Sequence, residues 1–520
     1  MPFFLNFFLL FIFSCSTPPL DSAKKKESDK KKWSLVFSHN IAGELEPCGC
    51  QHFPLGGLPQ MAGVLEEIKK ESDVFYVDTG DSFFASSFTP PPFKQQWDFS
   101  AESLKKALLF LGLQAVVLGE QDFAGENTFL KSLSVETKLL ISNSSDSFPY
   151  PHVKWIKKSF GAHTFYLVSA VLPELFNPEQ QHFFTDPLLA LKNVFHDLQK
   201  SGYEKDNPWH HAILLSHMGM EKDRELTKLF PHIDWIIGAH SQDFLSTPEV
   251  WEKTKIVQVK NRNHYLGVVT FTLDEPQGIY TLHETSEHKK NLLVPNPMTP
   301  FIEDYRTALL ALQKNQAIPV IVPALSSPYR KQESQPSYPS TKDCLSCHGQ
   351  IYEHTTKTPH ALAYVTLFQK KAHYNSQCIG CHTLGFQDPK GFSAPQDVVR
   401  LGNPSQQTEY WEEFQKIFQS HVSIRSQNPT ELQKMNKAWE NLDKKFAVTH
   451  QYANVQCLNC HKITPDHHLT GNTPSLRETK KDITTRCLSC HTKDQSPDWY
   501  LQGNLNSVIF DKKYEQMDHP

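Results

Sequence analysis

The sequence predicts an α/β layered front half, followed by a mainly α second half in which prosthetic groups replace much of the side-chain core. Three observations carry this prediction. Short β-rich runs alternate with helical stretches between residues 33 and 285, the pattern of sheets covered by helices. Residues 317–342 contain Pro319, Pro323, Pro328, Pro336 and Pro339 among serines and glutamines, which reads as an extended linker. Beyond residue 343 hydrophobic periodicity weakens, and 12 of the 26 histidines gather there with eight of the 11 cysteines. A chain of 520 residues exceeds what one core supports, so several domains are expected.

The strand candidates of the front half are Leu35–Ser38, Val74–Asp78, Ala115–Gly119, Leu139–Ser142, Phe165–Ala170, Ala212–Ser216, Trp235–Gly238 and Lys255–Lys260. Helical candidates include Leu58–Lys70, Ala101–Leu111 and Glu221–Phe230, with a further one at Phe301–Gln313. Asp78, Asp81, Glu120, His217 and His240 fall at strand ends, where ligands bind in such folds. The expected organisation is a leader (1–15), a tether (16–32), the α/β domain (33–285), a helix and linker (286–342) and the second domain (343–520).

The late cysteines form four pairs: Cys344/Cys347, Cys378/Cys381, Cys457/Cys460 and Cys487/Cys490. Each is followed directly by a histidine, namely His348, His382, His461 and His491. Cys-x-x-Cys-His attaches c-type haem: two thiols add to the porphyrin vinyl groups and the next residue supplies the proximal imidazole. Zinc sites built from four cysteines would leave all four histidines unexplained. Four covalent haems are therefore expected. His360, His373, His450 and His467 are the candidates for the distal iron ligands. Between the second and third motifs, 404–446 shows helical spacing and reads as an inserted helical hairpin.

The N-terminus is an apolar run ending in Ile12-Phe13-Ser14-Cys15. It is shorter than the roughly 20 residues of a spanning helix, so it reads as an export signal with Cys15 as a lipidation site. This places the chain on the periplasmic or cell-surface side of a bacterial membrane, held by a lipid anchor. The lysine-rich stretch after it reads as a solvated tether. The net charge of -4, with no basic stripe, argues against a nucleic-acid partner.

Residues 340–520, through Thr358-Pro-His-Ala-Leu-Ala, Cys378-Ile-Gly-Cys-His-Thr-Leu-Gly-Phe and Cys487-Leu-Ser-Cys-His-Thr-Lys-Asp, resemble the multihaem cytochromes that include the tetrahaem electron carriers of ammonia oxidation. The family usually has glycine after the third haem histidine, where Lys462 stands. The resemblance implies a redox partner protein or a quinone-linked respiratory chain. Asp78-Thr-Gly-Asp81, Leu118-Gly-Glu-Gln-Asp-Phe, Leu215-Ser-His217-Met-Gly and Ile236-Ile-Gly-Ala-His240-Ser-Gln242 resemble the calcineurin-type metallophosphoesterase domain of 5′-nucleotidases and of related periplasmic thiosulfohydrolases. That implies a four-layer sandwich with two metals activating a water. Asn40, Ala42 and Gln242 stand at positions of the first metal, and Gln121 replaces a catalytic histidine. Asp81, Glu120, His217 and His240 remain to hold one divalent zinc, iron or manganese ion.

Cys48-Gly49-Cys50 lies on the loop leaving the first strand. It can be a loop disulfide, a thiolate metal ligand or a redox and catalytic pair. Three functions stay open on the sequence. One is electron transfer coupled to a small-molecule redox reaction in the front domain. Another is a single-metal phosphoester or thiosulfate-ester hydrolase with a fused cytochrome. The third is an electron carrier whose front domain docks a partner.

Overall fold

The computed structural model describes residues 32–47, 54–89, 93–315, 339–386, 391–392, 395–419, 423–461 and 486–491. In the front half the elements run β1 (Lys32–Ser38), α1 (Leu58–Glu71), β2 (Asp73–Asp78), α2 (Lys94–Leu111), β3 (Leu113–Val116), α3 (Glu126–Glu136), β4 (Lys138–Leu139), β5 (Trp155–Phe160) and β6 (His163–Val171). They continue with α4 (Pro178–Gln181), α5 (Pro187–Lys200), β7 (His210–His217), α6 (Met220–Leu229), β8 (Trp235–Ile237), β9 (Glu249–Trp251), β10 (Thr254–Val257), β11 (Tyr265–Thr272), β12 (Ile279–Glu284) and α7 (Met298–Asn315).

Two six-stranded sheets form, ordered β12-β11-β1-β2-β3-β4 and β5-β6-β7-β8-β10-β9. Alternating side chains show how they layer. Phe165 and Leu167 of β6, Ile213 and Leu215 of β7, and Trp235 and Ile237 of β8 share one core with Leu35, Phe37, Phe75 and Val77 of the first sheet. Their sequence neighbours Tyr166, Val168, Ala212, Leu214 and Ile236 pack instead with Leu191, Val194 and Phe195 of α5 and Leu226 of α6. The second sheet is thus apolar on both faces, the mark of a sheet between layers. The four-layer α/β/β/α sandwich follows.

The helix expected at Phe301–Gln313 is α7. It packs against α1 and α2, with Met298 and Ile302 in the sandwich core and Tyr305 stacked on Phe99 at 5.7 Å. It is a wall of the front domain and not a free part of the linker.

His163 and His211 form a buried pair at the strand starts, Nδ1 to Nε2 2.8 Å, far along the strands from the C-terminal ends. Burial, with the neighbouring imidazoles, pushes the His211 pKa down to about 3. The unfolded ring titrates near 6.5, so between these values only the unfolded chain takes up the proton. We expect stability to be intact above pH 6.5 and to fall as pH drops toward 3. His211→Phe, which removes the titrating ring, flattens that part of a plot of melting temperature against pH.

The second half comprises α8 (Thr341–Thr355), α9 (Ala363–Gln369), α10 (Ser376–His382), β13 (Val399–Leu401), α11 (Gln407–Phe418), α12 (Pro429–Lys445), β14 (Val448–Gln451) and α13 (Cys457–Cys460). α11 and α12 are the inserted hairpin. Asn428 caps α12 by accepting from the Glu431 N–H at 3.0 Å, with Pro429 at the first helical position. Tyr410, Phe414, Phe418, Leu432, Met435, Trp439 and Leu442 bury one continuous core. This half therefore owns more side-chain core than its weak periodicity predicts. The Trp439 ring packs 4.7 Å from Phe414, and its Nε1–H donates to the Tyr410 hydroxyl at 2.8 Å. Trp439→Ala should cost about 3–5 kcal/mol, read by chemical unfolding of the haem-loaded protein. Among the described residues no helix is long and apolar enough to cross a membrane.

Candidate haem sites and metal centre

Each Cys-x-x-Cys-His run forms one helical turn, in α8, α10, α13 and at 486–490. A turn sets residues i and i+3 on one face, so both thiols of a pair point the same way. The His461 and His491 N–H groups close their turns on the Cys457 and Cys487 carbonyls at 2.9 and 2.8 Å. The thiols of the first and third motifs meet at Cys344 and Cys457. Those of the second and fourth meet at Cys381 and Cys490. Arg486 ties the fourth motif to the Cys460 carbonyl at 2.6 Å.

Cys347 is exposed, whereas the other seven motif cysteines are half-buried. The backbone of α8 kinks at the next residue, His348, where φ is -118° and ψ is 36°.

The histidines fit iron as well. His382 Nδ1–H donates to the Ala363 carbonyl at 2.7 Å, which fixes the tautomer with its lone pair on Nε2. The ring centres of His360 and His491 are 6.1 Å apart. Imidazoles are haem-iron ligands, and two this close would both be available to one haem. His373 stacks on Phe368 at 4.2 Å, and its buried Nδ1 makes no hydrogen bond. Burial, helped by the Lys314 charge, lowers its pKa to about 4, so the ring is neutral, the ligating form. His450 sits on β14 with its ring 4.2 Å from Tyr452. His467 lies outside the described residues, as do Cys15, Cys48 and Cys50.

In the front domain, the C-terminal ends of β1, β2 and β3 in one sheet meet those of β7 and β8 in the other. Asp81, Glu120, His217 and His240 converge there, with one ligand atom from each lying within 4.8 Å of the others. His217 Nε2 is 3.0 Å from Glu120 Oε2 and 3.3 Å from Asp81 Oδ2. His217 Nδ1–H donates to the Thr79 carbonyl at 2.7 Å, so the Nε2 lone pair faces two carboxylates. A neutral ring there would be repelled. Either a proton or a cation must sit between them. Burial alone would lower the His217 pKa, but Asp81 and Glu120 override it and hold the ring well above its usual value. Burial likewise opposes ionisation of Glu120, yet His217 and His240 hold its carboxyl well below the usual range. His240 Nδ1 lies 3.2 Å from Glu120 Oε1. Two carboxylates and two imidazoles suit zinc, iron or manganese.

The first-metal positions behave differently. The Val259 N–H donates to His39 Nε2 at 3.2 Å, so His39 carries its proton on Nδ1 and donates to Asn40 Oδ1 at 2.8 Å. That leaves Asn40 Nδ2–H pointing at Asp81 Oδ2, 3.2 Å away. An N–H donor therefore stands where a metal would need a lone pair. His39 itself is a neutral core group, lowered to about 4 chiefly by burial. Gln242 turns away to accept from Asn261 at 2.6 Å. The Gln121 side-chain oxygen is buried without a hydrogen bond. Asn40, Ala42, Asp81, His240 and Gln242 all keep φ between 46° and 68°, a conformation costing roughly 1–2 kcal/mol for residues other than glycine. The strained frame survives at positions whose side chains no longer ligate.

Asp122 is not singled out by the sequence, although its position three residues after Gly119 in a turn is a signal. It accepts from the N–H groups of Asp81, Ser82, Phe83 and Gly119 at 2.9–3.1 Å and so locks the two ligand loops together. Burial and the Asp81 charge push its carboxyl up to about 7. Asp78 organises its turn by accepting from Gly80 N–H, Ser38 and Ser82. Gly119 leaves no room for a side chain: a Cβ would lie 2.2 Å from Asp81 Oδ1 and 2.6 Å from the His217 ring. Gly119→Ala should weaken zinc binding by more than tenfold, read by competition with a chromogenic chelator.

Comparisons with known proteins agree with this layout. The family described as cytochrome c554 and c-prime matches residues 343–401. A 5′-nucleotidase of Bos taurus is 22% identical over 260 residues, 44% of this chain and 43% of that protein. Among solved structures, a 5′-nucleotidase precursor from Thermus thermophilus aligns with TM-score 0.44 at 18% identity, covering 54% of this chain and 59% of that one. The sulfate thiohydrolase SoxB of Thermus thermophilus aligns with TM-score 0.44 at 16% identity, covering 54% and 60%. The chain spans less than half of the curated relative and about three fifths of these two structures. The front domain is a metallophosphoesterase-like α/β fold, and a helical region follows it whose residues 343–401 match the cytochrome c554 and c-prime family.

Proposed function

We propose that the chain is an exported, lipid-anchored tetrahaem cytochrome that transfers electrons, coupled to a small-molecule redox reaction at the front domain. The carrying observation is the assembly of four Cys-x-x-Cys-His turns with the His360 and His491 ring centres 6.1 Å apart. Haem bound there would supply one-electron chemistry. The chain's own residues would attach it and orient the imidazoles.

At the front site Asp81, Glu120, His217 and His240 would hold one divalent cation, which supplies Lewis-acid polarisation of a bound substrate. Asn40 closes the other metal position with an N–H group, and Gln121 offers no acid for a leaving group. Both features disfavour phosphoester hydrolysis. Export through residues 1–15 and lipidation at Cys15 fit covalent haem attachment, which takes place outside the cytoplasm. The partner is a redox protein or a quinone-linked chain.

The test is anaerobic mixing of the reduced protein with small oxidised sulfur and nitrogen compounds. Haem oxidation should slow in Cys48→Ser/Cys50→Ser and in His217→Ala. Unchanged rates with every compound would refute the coupling.

A further inference from the structure

We propose that the second haem is the one facing the front domain, and that Glu44 and Glu46 hold its potential down. This rests on the reading of Cys378 and Cys381 as haem attachment sites.

A cleft of about 200 Å³ lies between the two halves of the molecule. Its front-domain wall includes Glu44, Glu46, Phe83 and Arg306, and its other wall includes Lys371 and Asn375. The front wall is continuous with the metal cluster. The Ala42 and Gly43 N–H groups donate to the carbonyls of Asp81 and Ser82 at 3.2 and 2.9 Å, which zips the loop carrying Glu44 onto the ligand loop. Phe83 follows Asp81 by two residues. On the opposite wall, Asn375 begins the turn that carries the second haem motif: its carbonyl accepts from Cys378 N–H at 3.0 Å and Ile379 N–H at 2.9 Å. Lys371 clasps the two halves, donating to Thr307 Oγ1 of α7 at 2.9 Å and lying 3.5 Å from Glu303.

Glu44 and Glu46 line the same cleft as Asn375, whose carbonyl holds the Cys378 N–H. Burial raises the Cys378 thiol, and Glu44 and Glu46 raise it further against Lys370. Each carboxylate is paired, Glu44 with Arg262 and Glu46 with Arg306. Replacing either carboxylate by an amide deletes one negative charge, so the local field becomes more positive by a full charge. A more positive field favours the ferrous over the ferric haem, since the reduced centre carries one positive charge fewer.

The test is potentiometric titration of the full-length, haem-loaded protein, followed by electron paramagnetic resonance. His382→Met changes one haem's ligation and so identifies the second haem's signal. In Glu44→Gln and, independently, in Glu46→Gln, that signal should titrate at higher potential while the other three stay fixed. Glu71→Gln, whose partner is Lys32, should move none. No shift in either variant, an equal shift of all four haems, or a shift confined to another haem would overturn the inference. A protein lacking haem at Cys378 would instead refute the four-haem reading on which it stands.

Discussion

His360→Ala converts one haem from six-coordinate low-spin to five-coordinate high-spin iron and leaves the other haems unchanged. The reason is geometric. The ring centres of His360 and His491 lie 6.1 Å apart, so both would be available to one haem iron. The backbone keeps His360 in place from both sides. It lies in a 3₁₀ turn begun by Pro359, and its carbonyl accepts the Val455 N–H at 3.1 Å, a residue just before the third motif. His360 is thus anchored by the chain that leads into the third motif. Removing the imidazole opens the iron, so the variant should bind carbon monoxide in the ferrous state at one haem more than the parent. An unchanged low-spin spectrum would assign the distal ligand elsewhere.

His217→Ala abolishes metal binding in the front domain, with a loss of at least about a hundredfold in zinc affinity. His217 is the hinge of the cluster, since its Nε2 faces both carboxylates while Nδ1 is spent on the Thr79 carbonyl. His217→Gln keeps a polar atom but not the fixed lone pair, and should recover little. Without metal the ring is held protonated between Asp81 and Glu120, its pKa well above the usual value. A cation must displace that proton. Zinc affinity should therefore rise with pH across the neutral range, and zinc addition to a weakly buffered sample should release protons. Binding independent of pH would contradict the assignment. The haem spectrum serves as the folding control.

Much of the layout is legible because its causes are local. Strands buried on both faces read as unbroken apolar runs, such as Ala212–Leu215 and Trp235–Ile237. Strands β5 and β12 give no such signal because they lie at sheet edges and carry exposed or half-buried polar residues such as Lys157 and Glu284. Helix α7 is visible in the sequence, but its place against α1 and α2 is a long-range fact that no window reveals. The ligands Asp81, Glu120, His217 and His240 are readable from chemistry at strand ends. Asp122 is not, because its role is to serve four backbone N–H groups. The orientation of Asn40 is out of reach, since it depends on His39 and on an N–H 220 residues away. The four Cys-x-x-Cys-His runs are identical in pattern, so nothing in the sequence separates the exposed Cys347 from the half-buried thiols. The approach of His360 to His491 is equally hidden, because many histidines are available and only the folded chain brings these two together.

The measurement that bears most directly on the whole account is a metal count on pure full-length protein. Pyridine haemochrome absorbance gives haem per chain, and elemental analysis gives total metal. The account predicts four covalent haems and one further zinc, iron or manganese ion that His217→Ala removes. Fewer than four haems would contradict the reading of the second half. Four haem irons with no additional metal, even after incubation with zinc or manganese, would contradict the reading of the front site.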